Sequence, residues 1–553
     1  MKSKRTISLA LLFVFLVSST AVAAVTPPGT LPITDEPAEL NIMVSGYTNY
    51  DLNPEVNTGM QWLQDVTGVK LNLDIVTGDD AKTSLLLSLA GDVLPDAYWG
   101  YAWSFAELQK YGMDEGAFIP MNDLIEEYCY YFKEVIDDNP TLFESMKLPD
   151  GNIYGIPDVN VCFHCSVSNK MWVNKNWMET LGLEVPQTLD EFYDMLVAFR
   201  DGDPNGNGIK DEIPMSGSVD GWNTRVYTWV LNAFTPYYPQ GSSYKMYLDD
   251  GVVKSAVSGD DYREGLRYLK KLYDDGLLDP AALTQYNSDL VTLCNGEDAV
   301  VGCVPAGHSQ VFLDANNYDR YSAYTTIPPR EGPGGRRAVA YEDYSVANGA
   351  NFVITESCRN PELAMRFVDY MFSKEYTLNN GSGLEGIAWE KLPEDTDLTT
   401  YDGSKAYCKM LDAANAAEGI SAGLITDRIN LRPVNYCADF FYSWKAVDHE
   451  NLDVYLSQNI DYLLYDESMK VIDYADREHL LPKVMFFSSE DQEELTQLYT
   501  IADNYIQSCQ VAFINGEMDL DADWQTYLDT LSSGGFDRCI ELIQTAYDAL
   551  QAR

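Results

Sequence analysis

The run whose residue types and spacing best suit a bound cation is Asp203-Pro204-Asn205-Gly206-Asn207-Gly208-Ile209-Lys210-Asp211-Glu212. Oxygen-bearing side chains alternate with glycines, and two acids close the run. In a short loop, side chains at every second residue can point inward while glycine permits the tight turn. Calcium suits such a loop because it takes several oxygens and tolerates irregular geometry. Counted from Asp201, the run fits the twelve-residue EF-hand spacing, with Asp203, Asn205, Gly206 and Glu212 at positions three, five, six and twelve. The competing reading is a solvated pair of Asn-Gly turns between a helix and a strand. Two acids behind alternating Asp and Asn oxygens exceed what a turn requires, so the expectation is a calcium ion in a structural role. Nothing around the loop points to a metal-bound nucleophile.

Cys162-Phe163-His164-Cys165 is the second run whose residue types carry chemistry. A thioredoxin-like thiol pair should open a helix, whose N-terminus stabilises the thiolate. Here the pair lies in an apolar, strand-like stretch from Cys162 to Val173. A tetrahedral zinc site needs two further ligands, and the four histidines (164, 308, 449 and 479) form no paired motif. The expectation is ordinary packing of small apolar thiols. Gly-x-Ser-x-Gly, His-Glu-x-x-His and the Gly-x-x-x-x-Gly-Lys-Ser/Thr phosphate loop are all absent. With 85 acids in the chain, a glycosidase carboxylate pair is not a readable signal.

The elements that must position these groups follow a regular alternation. Leu40, Ile42 and Val44 alternate as a strand. Val56, Met60, Leu63 and Val66 recur at helical spacing, and Val69, Leu71, Leu73 and Ile75 alternate again. Residues 79–90 read as a helix closed by Gly91, followed by the strand start Leu94-Pro95-Asp96-Ala97-Tyr98. Strand, helix, strand, helix, strand implies a parallel sheet with crossover helices. The pattern restarts with a helix over 189–199, another around Tyr262 to Leu272, and a third over 361–374 that begins at Pro361. The last hundred residues read mainly as helices.

At the N-terminus, Lys2, Lys4 and Arg5 precede an apolar run from Ile7 to Val17 and the small-residue pattern Ala21-Val22-Ala23. Residues 1–23 therefore read as a signal peptide, too short in its apolar part to anchor the chain across a bilayer. No cysteine stands near the cleavage site, the first being Cys129, so a lipid anchor there is not expected. The formal net charge is −48, and losing the leader makes it more negative still. Such a surface repels nucleic acid and anionic membrane. A 553-residue chain with 46% hydrophobic residues is globular and long enough for two lobes. Its ten cysteines are scattered through a chain that does not need disulfide staples.

The order of further motifs carries a family resemblance. These are Leu89-Ala90-Gly91-Asp92-Val93-Leu94-Pro95-Asp96, Asp150-Gly151-Asn152-Ile153-Tyr154-Gly155-Ile156-Pro157, Trp172-Val173-Asn174-Lys175-Asn176-Trp177 and the segment Leu181 to Phe192. Gly276-Leu277-Leu278-Asp279-Pro280, the segment Ile327 to Pro333 and Gly383-Leu384-Glu385-Gly386 follow. Taken in order, the chain resembles an extracellular solute-binding protein of the carbohydrate-type ABC importers, in the calcium-containing branch with oligosaccharide and alginate binders. The resemblance implies a periplasmic-binding-protein-like α/β fold of two hinged lobes, each a mostly parallel sheet flanked by helices. It places lobe I at 24–160 plus 352–435 and lobe II at 161–351 plus 436–553, with crossings near 158–166, 345–352 and 432–441. It implies a monomer that closes on its ligand without covalent chemistry and is recognised by ABC permease subunits. The family's own register starts the metal loop at Asp203, with the side chains of Asp203, Asn205, Asn207, Asp211 and Glu212 and the carbonyl of Ile209 as ligands. A secreted polysaccharide-degrading enzyme with a structural calcium is the rival reading, and a peptide-binding receptor a third.

Sugars present flat C–H faces that stack on aromatic rings and hydroxyls that polar side chains satisfy. Tyr98, Trp99 and Trp103 are expected to follow the third strand of lobe I, where open α/β sheets bind ligands. Trp222 and Trp389 are further cleft candidates, with Asp96, Glu385 and Arg432 as polar ones; Trp172 and Trp177 read as structural.

Overall fold

The computed structural model describes residues 23–46, 52–78, 80–91, 93–159, 162–238, 243–314, 317–387, 389–399, 404–411 and 460–552. Arg432 and the expected crossing near 432–441 lie outside these residues. The alternating segments form β1 (Ala38–Gly46), β2 (Val69–Thr77) and β3 (Ala97–Trp103). Between β1 and β2, the helix Thr58–Thr67 starts where the Asn57 side chain accepts from the Met60 N–H at 2.9 Å, and ends at left-handed Gly68. β1 pairs in parallel with both β2 and β3, and the strand Ala350–Ile354 adds antiparallel to β3. One apolar cluster runs through residues 33–159 and 347–376. The helix Pro361–Tyr370 closes it from behind, capped by Asn360 and buried along Leu363, Phe367 and Val368.

The second sheet joins β4 (Lys170–Asn174), β5 (Ile213–Met215) and the strands Val301–Ala306 and Tyr324–Ile327, in the order β5, 301–306, β4, 324–327. Only β5 and 301–306 run parallel; β4 is antiparallel to both its neighbours. This sheet is thus mixed rather than mostly parallel. Apolar runs tell that a strand is covered on both faces, but its direction depends on which edge the connection returns to. The helices Leu189–Asp201, Asp260–Asp274, Ser489–Asn515 and Phe536–Gln551 enclose a second cluster built from residues 171–327 and 481–543. Thr188 and Glu191 form a capping box at the start of the first of these helices.

Between the clusters, three segments lie side by side. The Glu342 N–H donates to the Ser166 carbonyl at 2.8 Å, and Val339–Ala340 pairs in parallel with Ala475–Asp476. Val167, Val339 and Val471 share a small apolar cluster there. The expected strand from Cys162 is shorter than its apolar pattern suggested. A 3-10 turn, His164–Val167, precedes β4, and Cys162 and Cys165 are joined by a disulfide. Three residues of separation close a tight ring that suits a turn and not a pleated strand.

Candidate functional site

A cleft of about 1130 Å3 opens where the two clusters face each other. One wall is the end of β3, where Trp103 is followed by Ser104, the N-cap of the short helix Phe105–Leu108. The opposite wall is the loop 219–225, and the floor and rim come from Glu342, 348–349 and 481–487. Phe105 meets Phe486 edge-on at 5.8 Å, so an aromatic contact ties the first wall to the 481–487 segment.

Trp222 stands out in this cleft because it is 38% exposed and its surroundings hold it still. Its indole lies against Gly307, where an added Cβ would sit 2.2 Å from the ring's Cε3. The Gly307 N–H donates to the Trp222 carbonyl at 2.9 Å. His308 and His164 meet the indole steeply inclined, with centroids at 5.5 and 6.0 Å. Below them, the wholly buried Lys170 ammonium donates to the His164 and Gly307 carbonyls at 2.9 and 3.4 Å. Burial pushes its pKa down to about 7, with Glu467 pulling the other way. The next residue is fixed too: the Asn223 amide donates to Ser168 Oγ at 2.8 Å. A large ring fixed on one side and open on the other is a stacking surface.

The other aromatic candidates fall elsewhere. β3 runs on to Trp103, so Tyr98 and Trp99 lie within the strand and not after it, and both faces of the sheet are covered there. Tyr98 and Trp99 are fully buried; Tyr98 shares a hydrogen bond with Ser88 at 2.8 Å, and Trp99 packs edge-on against Phe367. Trp103 borders the cleft, yet its ring is turned into the core against Phe118 at 4.9 Å. Trp389 is fully buried, its N–H shared between Asn379 Oδ1 and the Gly383 carbonyl, both at 3.0 Å. Asp96 sits at the other end of β3, accepting from the backbone and side chain of Asn41 at 2.8 and 2.9 Å. Glu385 is exposed outside the cleft, its N–H held by Asn379. Trp172 and Trp177 are buried as expected. Conversely, Phe105, Arg225, Glu342 and Lys483 line the cleft without any local sequence signal. Each comes from a different segment, so no spacing rule could have grouped them.

The loop at 203–212 is built as the alternation implied. Asp203 has a positive φ of 49°, and Gly206 and Gly208 sit in the left-handed region at 70° and 74°. The Asp203 carboxylate accepts from the Gly208 N–H at 3.2 Å, and the amides of Asn205 and Asn207 both donate to Asp211, each at 3.2 Å. Asn207 also reaches Asp298, and Asn205 the Ala299 carbonyl, which ties the loop to the start of strand 301–306. The Glu212 Oε1 is enclosed with no hydrogen-bond partner. Burial, and behind it the charges of Asp211 and Asp203, raise the Glu212 pKa. The Oδ1 atoms of Asn205 and Asn207 accept from the N–H groups of Asn207 and Ile209 at 3.0 and 2.7 Å, so turning either amide to present oxygen to a cation exchanges one of these bonds for a metal contact. Three acids and two side-chain amides within ten residues, with one carboxylate oxygen enclosed and unpartnered, make a donor set that fits calcium. The Ile209 side chain is a hydrocarbon pointing to solvent, and its carbonyl is the atom that could contribute. Among the described residues, Cys162, His164 and Cys165 also bring three potential ligand atoms together, within 4.8 Å. Two of those atoms are the sulfurs of the disulfide, so metal binding there would require reduction.

Comparison with known proteins now decides the family, because the match extends over residues 51–378. The chain belongs to the bacterial extracellular solute-binding proteins. It is 26% identical to the fructooligosaccharide ABC transporter substrate-binding protein FusA of Streptococcus pneumoniae serotype 4, over 95% of this chain and 92% of that protein. The structure of FusA with kestose superposes with a TM-score of 0.66 at 25% identity, covering 93% of this chain and 99% of the other. A FusA EF-hand mutant in complex with fructo-nystose matches at 24% identity, with the same TM-score and coverage. A human-milk-oligosaccharide (HMO) binding solute-binding protein from Bifidobacterium longum infantis superposes with a TM-score of 0.73 at 20% identity, over 93% and 99% of the two chains. The family consists of binding proteins rather than enzymes. Among the described residues, no helix is long and apolar enough to cross a membrane.

Proposed function

We propose that this solute-binding protein captures an oligosaccharide outside the cytoplasm, in the cleft under Trp222, and presents it to ABC permease subunits. The observation that carries this reading is the seated, open-faced Trp222 at the end of two parallel strands, facing a cleft of about 1130 Å3. Ligands of α/β sheets bind beyond the carboxyl ends of parallel strands. The cleft exceeds the range of roughly 300–1,000 Å3 that suits drug-sized ligands, so it has room for several sugar rings. The fructooligosaccharide-binding relative supports the same ligand class. The lobes are taken as 24–160 plus 352–435 and 161–351 plus 436–553; in the described residues the two apolar clusters support that division, apart from Ala347 and Ala350, which pack with the first. Closure about the side-by-side segments near 166, 342 and 475 would let ligand binding select the state a permease recognises.

The protein acts as a monomer without covalent chemistry. Asp203, Asn205, Asn207, Asp211 and Glu212, with the Ile209 carbonyl, hold a structural calcium; the enclosed Glu212 oxygen and the EF-hand of the pneumococcal relative support this. Tryptophan fluorescence titrated with a library of tri- and tetrasaccharides, and in parallel with short peptides, tests the reading. A saturable change with the sugar recovered intact is expected. Release of smaller sugars would instead establish the degrading enzyme, and a response confined to peptides would establish the third reading.

A further inference from the structure

We propose that Cys162 and Cys165 form a reversible thiol–disulfide switch that sets the seat of Trp222 and, resting on the carbohydrate reading, the sugar affinity of the cleft. The stretch that follows the disulfide reaches the cleft at three points. The His164 ring meets the Trp222 indole at 6.0 Å, the Ser166 carbonyl accepts from the Glu342 N–H at 2.8 Å, and Ser168 Oγ accepts from the Asn223 amide, also at 2.8 Å. Trp222, Asn223 and Glu342 all line the cleft. The His164 carbonyl also takes one hydrogen bond from the buried Lys170 ammonium, whose other acceptor is Gly307, the residue against the indole. With Cys162 bonded to Cys165, the turn His164–Val167 is closed at its start and has little freedom. Once that bond opens, Phe163 and His164 regain torsional freedom, and the imidazole is no longer held against the indole.

The pair differs from other cysteines of the chain. Cys294, Cys303, Cys358 and Cys539 remain thiols. Burial pushes Cys294 and Cys358 up to about 12 and Cys539 to about 11, and thiols held neutral are inert in exchange. At Cys162–Cys165 the exchange runs in two steps. A low-molecular-weight thiol outside the cell, as its thiolate RS−, attacks Cys162 Sγ. The sulfur–sulfur bond breaks, and Cys165 leaves with the bonding electrons and takes up a proton; His164 Nε2 stands 3.8 Å from that sulfur. A second RS− attacks the external sulfur of the mixed disulfide, releasing Cys162, which is protonated in turn, and RSSR. The pair is reduced, the external thiol is oxidised, and excess RSSR runs both steps backwards. Both cysteines are buried, next to the segments proposed as the hinge, so opening of the lobes gives the thiol its path.

The protein is compared in its oxidised form and after anaerobic incubation with excess dithiothreitol, each cysteine being scored by alkylation and peptide mapping. Cys162 and Cys165 should become thiols while the far-ultraviolet circular dichroism stays unchanged, and the tryptophan emission should shift. That shift should vanish in Trp222→Phe and in the double variant Cys162→Ser/Cys165→Ser, and oxidised glutathione should reverse it. In calorimetry with the same tri- and tetrasaccharides, the reduced form should bind about threefold more weakly, the worth of one edge-on aromatic contact. The serine variant should show the same weakening with or without reductant. A pair that stays oxidised in the folded protein, or a reduction that leaves emission and affinity unmoved, would overturn the switch and leave oligosaccharide capture intact. An emission shift with every sugar silent would uphold redox control of the Trp222 seat and overturn the carbohydrate reading instead.

Discussion

The cation loop and the ligand cleft occupy opposite ends of the same two strands. β5 and the strand 301–306 run parallel, beginning beside the loop at 203–212 and ending at Gly307 and the segment that carries Trp222. At about 3.3 Å per residue, the two sites are roughly 20 Å apart. Their construction differs completely. The loop draws its acids and amides from ten consecutive residues, with Asp298 and Ala299 as its outside partners. The cleft draws on segments near 103, 222, 307, 342 and 483. A site built locally is specified by turn chemistry, whereas one built from distant segments exists only once both lobes have packed. The first should govern stability and the second affinity, with little leakage between them.

The sharpest attempt to break that division is Trp222→Ala. Losing the stacking surface should weaken oligosaccharide binding by roughly 30–100-fold, about 2–3 kcal/mol, with the melting temperature nearly unchanged because the ring is partly exposed. A calorimetric affinity within threefold of the parent would remove Trp222 from the site. The mirror experiment is calcium removal. At a free concentration 100 times its Kd, calcium should stabilise the fold by about 2.7 kcal/mol, or roughly 2–4 °C in melting temperature for a chain of this size. Chelation should abolish that increment, and Glu212→Gln should prevent it, while affinity for the sugar stays within about twofold. A chelator without effect on melting would argue against occupancy of the loop; a large loss of affinity would show that the shared strands couple the two ends.

Gly307→Ala probes the seat and not the ring. Its Cβ would fall 2.2 Å from the Trp222 ring, so the indole must move. A loss of about tenfold in affinity, near 1.4 kcal/mol, is expected together with an altered tryptophan emission. The smallest effect should come from replacing Cys162 and Cys165 by serine. A disulfide that closes so short a ring constrains the unfolded chain little. Melting should shift by no more than about 1–2 °C, and affinity should fall about threefold as His164 loosens beside Trp222. A drop in melting temperature much larger than the drop in affinity would make the disulfide a fold staple and not a support for the cleft.

Much of the fold was legible because periodicity is local. The alternation at Leu40, Ile42 and Val44, and the helical spacing from Met60 to Val66, became β1 and the helix Thr58–Thr67, ending at Gly68 as the C-cap rule requires. The direction of β4 was not legible, since apolar runs look alike in parallel and antiparallel company. Tyr98 and Trp99 were misplaced for a related reason: the last residue of β3 decides which aromatics lie beyond the sheet, and strand ends are weakly marked. Trp222 was found among the cleft candidates, but nothing near it in the sequence announced Gly307 or the histidines that hold it.

The sequence by itself determined the acidic surface, the two alternating α/β patterns, the ordered motifs of the solute-binding family and the oxygen-rich loop. All of these depend on residue type and on spacing within a few turns. Only the tertiary structure decided that Trp99 and Trp389 are core while Trp222 faces solvent, that the sulfurs of Cys162 and Cys165 join, and that Lys483 is already paired with Glu342. Burial and charge pairing are properties of neighbours brought together over hundreds of residues, and a side chain's chemistry is settled by those neighbours as much as by its own atoms.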